Sequence, residues 1–115
     1  MSLYLAWTTV GTREDAERLA RGAVDARLAV CVQIEGPVES WYRWEGRTES
    51  AREFRLAFKC LPEQLAGLRD WVHAGHPYEV PEWIVVQAEA VSEKYLSWAR
   101  ENSTPAPFHS SPPFT

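Results

Sequence analysis

His76-Pro77-Tyr78-Glu79-Val80-Pro81-Glu82 places an imidazole, a phenol and two carboxylates within seven residues. Neutral imidazole ligates borderline metals and works as a general base near neutral pH, while phenol and carboxylate oxygens bind cations or relay protons. Two prolines stiffen this stretch. Each proline fixes its own φ at about −65° and pushes the residue before it out of the α region, so His76 and Val80 are expected to be extended. Gly75 is then free to close a preceding helix. As a ligand site, the stretch presents His76, Tyr78, Glu79 and Glu82 from a nearly rigid backbone, and no residue is assigned to catalysis. Residue types alone favour a plainer role, a stiff helix-to-strand connector with His76 near the negative end of a helix dipole and Tyr78 packing.

Composition narrows the partners. The chain has 115 residues, a single-domain length, and a net charge of −4 from 12 basic and 16 acidic residues. No block of Lys or Arg supplies the electrostatic footprint of a nucleic-acid or membrane binder. The apolar run at 3–10 is too short to span a bilayer and lacks a secretory peptide's basic flank and cleavage signal, so a cytosolic (cytoplasmic) protein is expected. Cys31 and Cys60 have no CxxC spacing and are expected to be buried thiols rather than zinc ligands or a disulfide.

Periodicity supplies the elements that must hold the polar stretch. Residues 3–10 are almost continuously apolar, as in a central strand buried on both faces. Thr12 heads a capping-box pattern, and Ala16, Leu19, Ala20, Ala23 and Val24 share one helical face, which predicts a helix over about 13–27. Residues 29–35 alternate with Val30, Val32 and Ile34 on one face, Gly36-Pro37 interrupts, and alternation resumes through Trp44. After a Glu45-Gly46 turn, residues 47–60 run back with Phe54, Leu56 and Phe58 on one face. Pro62 suits a first helical position, and Leu65, Leu68 and Val72 form the stripe of a second helix ending near Gly75. Residues 83–89 read as the fourth strand, and Ser92 caps a last short helix that Asn102 ends.

This β-α-β-β-α-β order with a terminal helix predicts an α+β fold, a ferredoxin-like split βαβ antiparallel sheet with both main helices on one face. The other face is left uncovered. The arm at 38–53 outgrows the modal strand of about five or six residues and carries Trp41, Tyr42 and Trp44, so a homo-oligomer is expected to cover it. Register sharpens the picture. With a two-residue Glu45-Gly46 loop, uninterrupted pairing sets Val32 against Lys59 and Ile34 against Ala57, and the apolar faces disagree. One extra residue at Gly36-Pro37 pairs Ile34 with Leu56 and Val32 with Phe58, which predicts a β-bulge there and puts Cys31 opposite Lys59 rather than Cys60.

Four blocks then carry a resemblance: Ala26-Arg27-Leu28-Ala29-Val30-Cys31-Val32, Ser40-Trp41-Tyr42-Arg43-Trp44-Glu45-Gly46, the His76 to Glu82 stretch, and Tyr95-Leu96-Ser97-Trp98. In this order and spacing the chain resembles the CutA family, the divalent-cation tolerance proteins, over residues 4–102. The resemblance implies one domain over 1–102 and a cytosolic homotrimer with sheets inward, helices outward and hairpins bracing neighbours, similar to the PII signalling proteins. It also implies a link to divalent-metal tolerance and copper, with no required cofactor and no accepted enzymatic reaction. Members discussed as copper binders have a late first-strand cysteine and a doubled histidine where this chain has Trp7 and Gly75, so only His76 carries over, with His73 one helical turn earlier as a substitute. One imidazole with carboxylates makes a weak copper site.

Two other classes compete. A small enzyme would use Gly11-Thr12-Arg13 as an anion cradle and His76, Tyr78 and Glu79 for proton transfer at an inter-subunit cleft. An RNA-recognition module shares the strand order, but residues 52–59 lack its Gly-aromatic signature. Residues 103–115 hold four prolines and read as a polyproline-like or disordered tail, with Phe108 and Phe114 expected to dock on the body or on another chain.

Overall fold

The computed structural model describes residues 2–103, so the expectations for the tail, Phe108 and Phe114 concern residues outside the description. The elements are β1 (Tyr4–Val10), α1 (Arg13–Asp25), β2 (Cys31–Trp44), β3 (Arg47–Cys60), α2 (Pro62–Gly75), β4 (Ile84–Gln87) and α3 (Glu93–Glu101). The four strands form one antiparallel sheet in the order β2-β3-β1-β4. This is the α+β, ferredoxin-like arrangement expected from the element order.

Local chemistry explains where the elements begin and end. The Thr12 side chain accepts a hydrogen bond from the Asp15 N–H at the start of α1, and Gln64 Oε1 accepts one from the Leu61 N–H at the start of α2. The first helix stops at Asp25 rather than at 27, because Arg27 turns to a φ of 59° and the chain reverses into β2. Gly75 is the last residue of α2, and the extended His76 closes the helix, not a left-handed glycine. Arg18 reaches across from α1 to donate to the Gly75 carbonyl at 3.0 Å, so the end of α2 is anchored where the polar stretch begins.

One core lies between the sheet and the two main helices. Ala6, Val10, Leu56 and Phe58 meet Ala16, Leu19, Ala23, Leu68 and Val72 there, all at most 1 % exposed. Each buried Leu or Phe stabilises the fold by about 1.5–3 kcal/mol. Val30 departs from the expected face. It lies just before β2 and packs with Leu3, Leu61 and Ala99 in a second cluster that includes Cys31, Tyr95 and Trp98. There α3 lies over one end of the sheet face that the element order left bare. The rest of that face stays open, with Ile84 and Val86 exposed. Cys60 is fully buried, which pushes its thiol up to about 11; Cys31 is half-buried opposite Lys59, and both are free.

The expected bulge is present. Ile34 pairs with Leu56 and Val32 with Phe58, the register shifts between Glu35 and Val38, and Val38 pairs with Glu53. Gly36 has a φ of 156°, and the Phe54 ring occupies the space a side chain would need. The Gly36–Pro37 peptide is cis. At the tip, positive φ at Glu45 and Gly46 makes the primed turn that suits the twist of a long hairpin. Beyond the shift, Val38, Ser40, Tyr42 and Trp44 share a face with Glu53 and Ala51, away from the helices. The fourth strand is shorter than expected, because Trp83 and residues 88–89 fall outside the ladder with β1.

Candidate functional site

Strand β1 and the stretch after α2 build the site together. The Tyr78 N–H donates to His76 Nδ1 at 3.1 Å, which leaves the ring proton on Nε2. That Nε2 lies 3.0 Å from both the Thr9 carbonyl and the Thr8 hydroxyl oxygen, and the Thr8 hydroxyl in turn donates to the Glu82 carbonyl at 2.7 Å. Both imidazole nitrogens are therefore occupied. Burial is the main cause that lowers the His76 pKa from its ordinary value, and the Thr9 carbonyl opposes it. His76 thus fixes the path of the stretch across the end of β1 as a neutral ring, packed at 5.0 Å against Tyr78.

Tyr78 joins this stretch to the arm. Its hydroxyl donates at 2.8 Å to Glu53 Oε2, and Glu53 is only 8 % exposed although it is a carboxylate. Burial first, and then the hydrogen bond and charge of Glu53, push the Tyr78 hydroxyl well above its ordinary pKa, so it stays protonated and donates. Glu79 and Glu82 are exposed beside it. A cleft of ≈ 770 Å³ runs between the arm and the polar stretch, lined among others by Tyr42, Trp44, Glu53, Tyr78, Glu79 and Glu82. A smaller cavity of ≈ 430 Å³ on the open face is lined by Trp7, Arg55, Glu82 and Ile84 among others.

The structure thus gathers Tyr78, Glu79 and Glu82 along one cleft, while His76 is turned away into backbone contacts. Nδ1 coordination to a metal would require breaking the Tyr78 N–H bond. His73 binds the Arg69 carbonyl through Nδ1 at 2.8 Å and packs edge-on against Trp83, and no group of three or more His, Cys, Asp or Glu among the described residues could hold a metal ion. The anion-cradle residues do other work: Thr12 caps α1, and the Arg13 guanidinium stacks 5.0 Å from the Phe54 ring. Sequence reasoning missed Glu53, Thr8 and Thr9. Glu53 alone carried a signal, as an acidic residue one position from the core-facing Phe54.

The family model of the CutA1 divalent ion tolerance protein matches residues 4–102. The chain belongs to the CutA family. It is 40 % identical over 100 residues to the chloroplastic CutA protein of Arabidopsis thaliana, across 87 % of this chain and 54 % of that one, so it spans about half the length of that relative. The solved CutA of Synechococcus elongatus PCC7942 superposes with a TM-score of 0.86 at 41 % identity, covering 90 % of this chain and 91 % of that one. The same protein has been solved complexed with a Bis-Tris molecule. A CutA of Archaeoglobus fulgidus, described as periplasmic, matches with a TM-score of 0.84 at 33 % identity over 89 % of this chain and 99 % of that one. Family members are thus described in more than one compartment. No helix among the described residues of this chain is long and apolar enough to cross a membrane.

Proposed function

We propose that this CutA-family chain is a cytosolic homotrimer that binds a small ligand or partner in the manner of a PII-type sensor, in the setting of divalent-metal tolerance. The observation that carries this reading is the cleft between the arm and the polar stretch, whose two walls are joined by the Glu53–Tyr78 bond. The cleft has the volume of a small-molecule site, and a neighbouring subunit's arm would complete its wall. Trimer formation is supported by the solvent exposure of Trp41 and Trp44 at the arm, 66 % and 52 %, and of Ile84 and Val86 on the open sheet face. The Bis-Tris complex of the Synechococcus relative supports a small-ligand role. Two free cysteines suit a reducing compartment.

Metal enters this reading as a weak partner. His76 offers no nitrogen to solvent without local rearrangement, so copper(II) would be held by exposed carboxylates and whatever fraction of His76 turns outward. The same geometry weighs against the enzyme alternative, because the His76 nitrogens face backbone and Tyr78 holds its proton firmly. Light scattering tests the assembly. A mass of about 39 kDa, three times the 13.1 kDa chain, is expected, and a monomer at micromolar concentration would sink the reading.

A further inference from the structure

We propose that the cleft between the arm and the polar stretch selects an organic ammonium ligand, an alkyl amine or polyamine, over anions and over bare metal ions. The proposal rests on the reading of this cleft as a ligand site and names its chemical class. Three carboxylate residues, Glu53, Glu79 and Glu82, line the cleft, together with the aromatic residues Trp41, Tyr42, Trp44 and Tyr78. Among the described residues that line it, none is Lys, Arg or His. Carboxylates between low-dielectric walls focus a negative potential, and aromatic faces attract cations a second time through their quadrupoles. An anion entering here would meet both effects with the wrong sign.

Glu53 adds the specific demand. A carboxylate that is 8 % exposed, lines the cleft and receives the Tyr78 hydroxyl on Oε2 keeps acceptor capacity for a further donor from the cleft side. An ammonium group supplies both the charge and further N–H donors. A bare divalent ion fits less well. It needs several hard ligands within one coordination sphere, and no group of three or more His, Cys, Asp or Glu among the described residues is close enough to provide it. Carboxylates set apart along a cleft of ≈ 770 Å³ match amines spaced along an alkyl chain, whose methylenes can lie against the aromatic lining.

The test is calorimetric titration of the full chain with spermidine in an amine-free buffer, beside titrations with adenosine triphosphate and with magnesium chloride. Saturable spermidine binding is expected, weakened about tenfold by Glu53→Gln, as loss of one charge-assisted contact implies. Glu79→Gln, on an exposed residue that the fold does not need, is expected to weaken it as well, so the proposal remains testable if Glu53→Gln fails to fold. Spermidine affinity unchanged in both variants would overturn the proposal, as would preferential binding of the triphosphate or of magnesium. Light scattering on the same samples separates the two levels: a trimer that ignores spermidine removes only the ammonium class, whereas a monomer removes the assembly reading as well.

Discussion

The Tyr78 hydroxyl and the Glu53 carboxylate, 25 residues apart in sequence, are joined by a 2.8 Å hydrogen bond that ties the stretch after α2 to the base of the arm. Removing the donor leaves a buried carboxylate without it. Tyr78→Phe is expected to cost about 1–3 kcal/mol, the usual price of stranding a buried polar group. Glu53→Gln, which keeps an acceptor for the phenol, is expected to cost less. Urea unfolding at a fixed protein concentration measures both, and equal small effects would show the bond to be dispensable.

His76 makes the stability of the fold depend on pH in a predictable direction. Its folded pKa is lowered, chiefly by burial, so the unfolded chain takes up a proton before the folded chain does. Its contribution is fully present above the ordinary value of about 6.5 and is lost as pH falls through the lowered folded value. Thermal unfolding between neutral and mildly acidic pH should show this decline, and His76→Gln should flatten it. A variant as pH-sensitive as wild type would assign the decline to other groups.

Two glycines separate sterics from backbone freedom. At Gly36 an added Cβ would lie 2.5 Å from Phe54 Cδ2 at a φ of 156°, whereas at Gly46, with φ of 76°, nothing lies within 4 Å. Gly46→Ala is expected to cost about 1 kcal/mol from the left-handed conformation alone, and Gly36→Ala about 2–3 kcal/mol because the ring must also move. Denaturation midpoints rank them. The reverse order would mean that Phe54 swings aside freely.

Copper(II) and zinc are expected to bind weakly, and any share His76 contributes should fade as pH falls through its lowered value, on the acid side of the ordinary value of about 6.5. Calorimetry on wild type and His76→Ala decides whether this ring takes part. Tight stoichiometric binding that His76→Ala abolishes would show that the ring leaves its Thr9 and Tyr78 partners readily, and tight binding that survives the substitution would place the site elsewhere.

What could be read in the sequence was periodic, and what could not was contact between distant segments. The bulge was legible because Val32 and Ile34 reach the same core face as Leu56 and Phe58 only with one extra residue between them and the turn. The tryptophans and the proline-stiffened stretch marked the right region. The direction in which His76 points was not legible, since Thr8 and Thr9 lie 68 and 67 residues away and no local pattern records that meeting. Glu53 looked like one more polar position on a strand. It meets Tyr78 across the end of β1, and strand alternation cannot foresee a side chain arriving from there. Val30 was misplaced because alternation extends a face past the point where the strand begins.

The register shift at Gly36-Pro37 also bears on which length mutations the chain can absorb. On one side of it β2 answers to the core through Val32 and Ile34, and on the other it answers to the cleft through Tyr42 and Trp44. All four positions are even-numbered, so an unbroken pleat would put them on one face, and it is the extra residue at the joint that sends the two sets to opposite faces. Deleting one residue there would remove the bulge and leave Val32 and Ile34 in the core with Tyr42 and Trp44 still on the cleft. Deleting two would turn one set to the wrong face. A single-residue deletion in this arm should therefore be tolerated better at Gly36-Pro37 than elsewhere along β2.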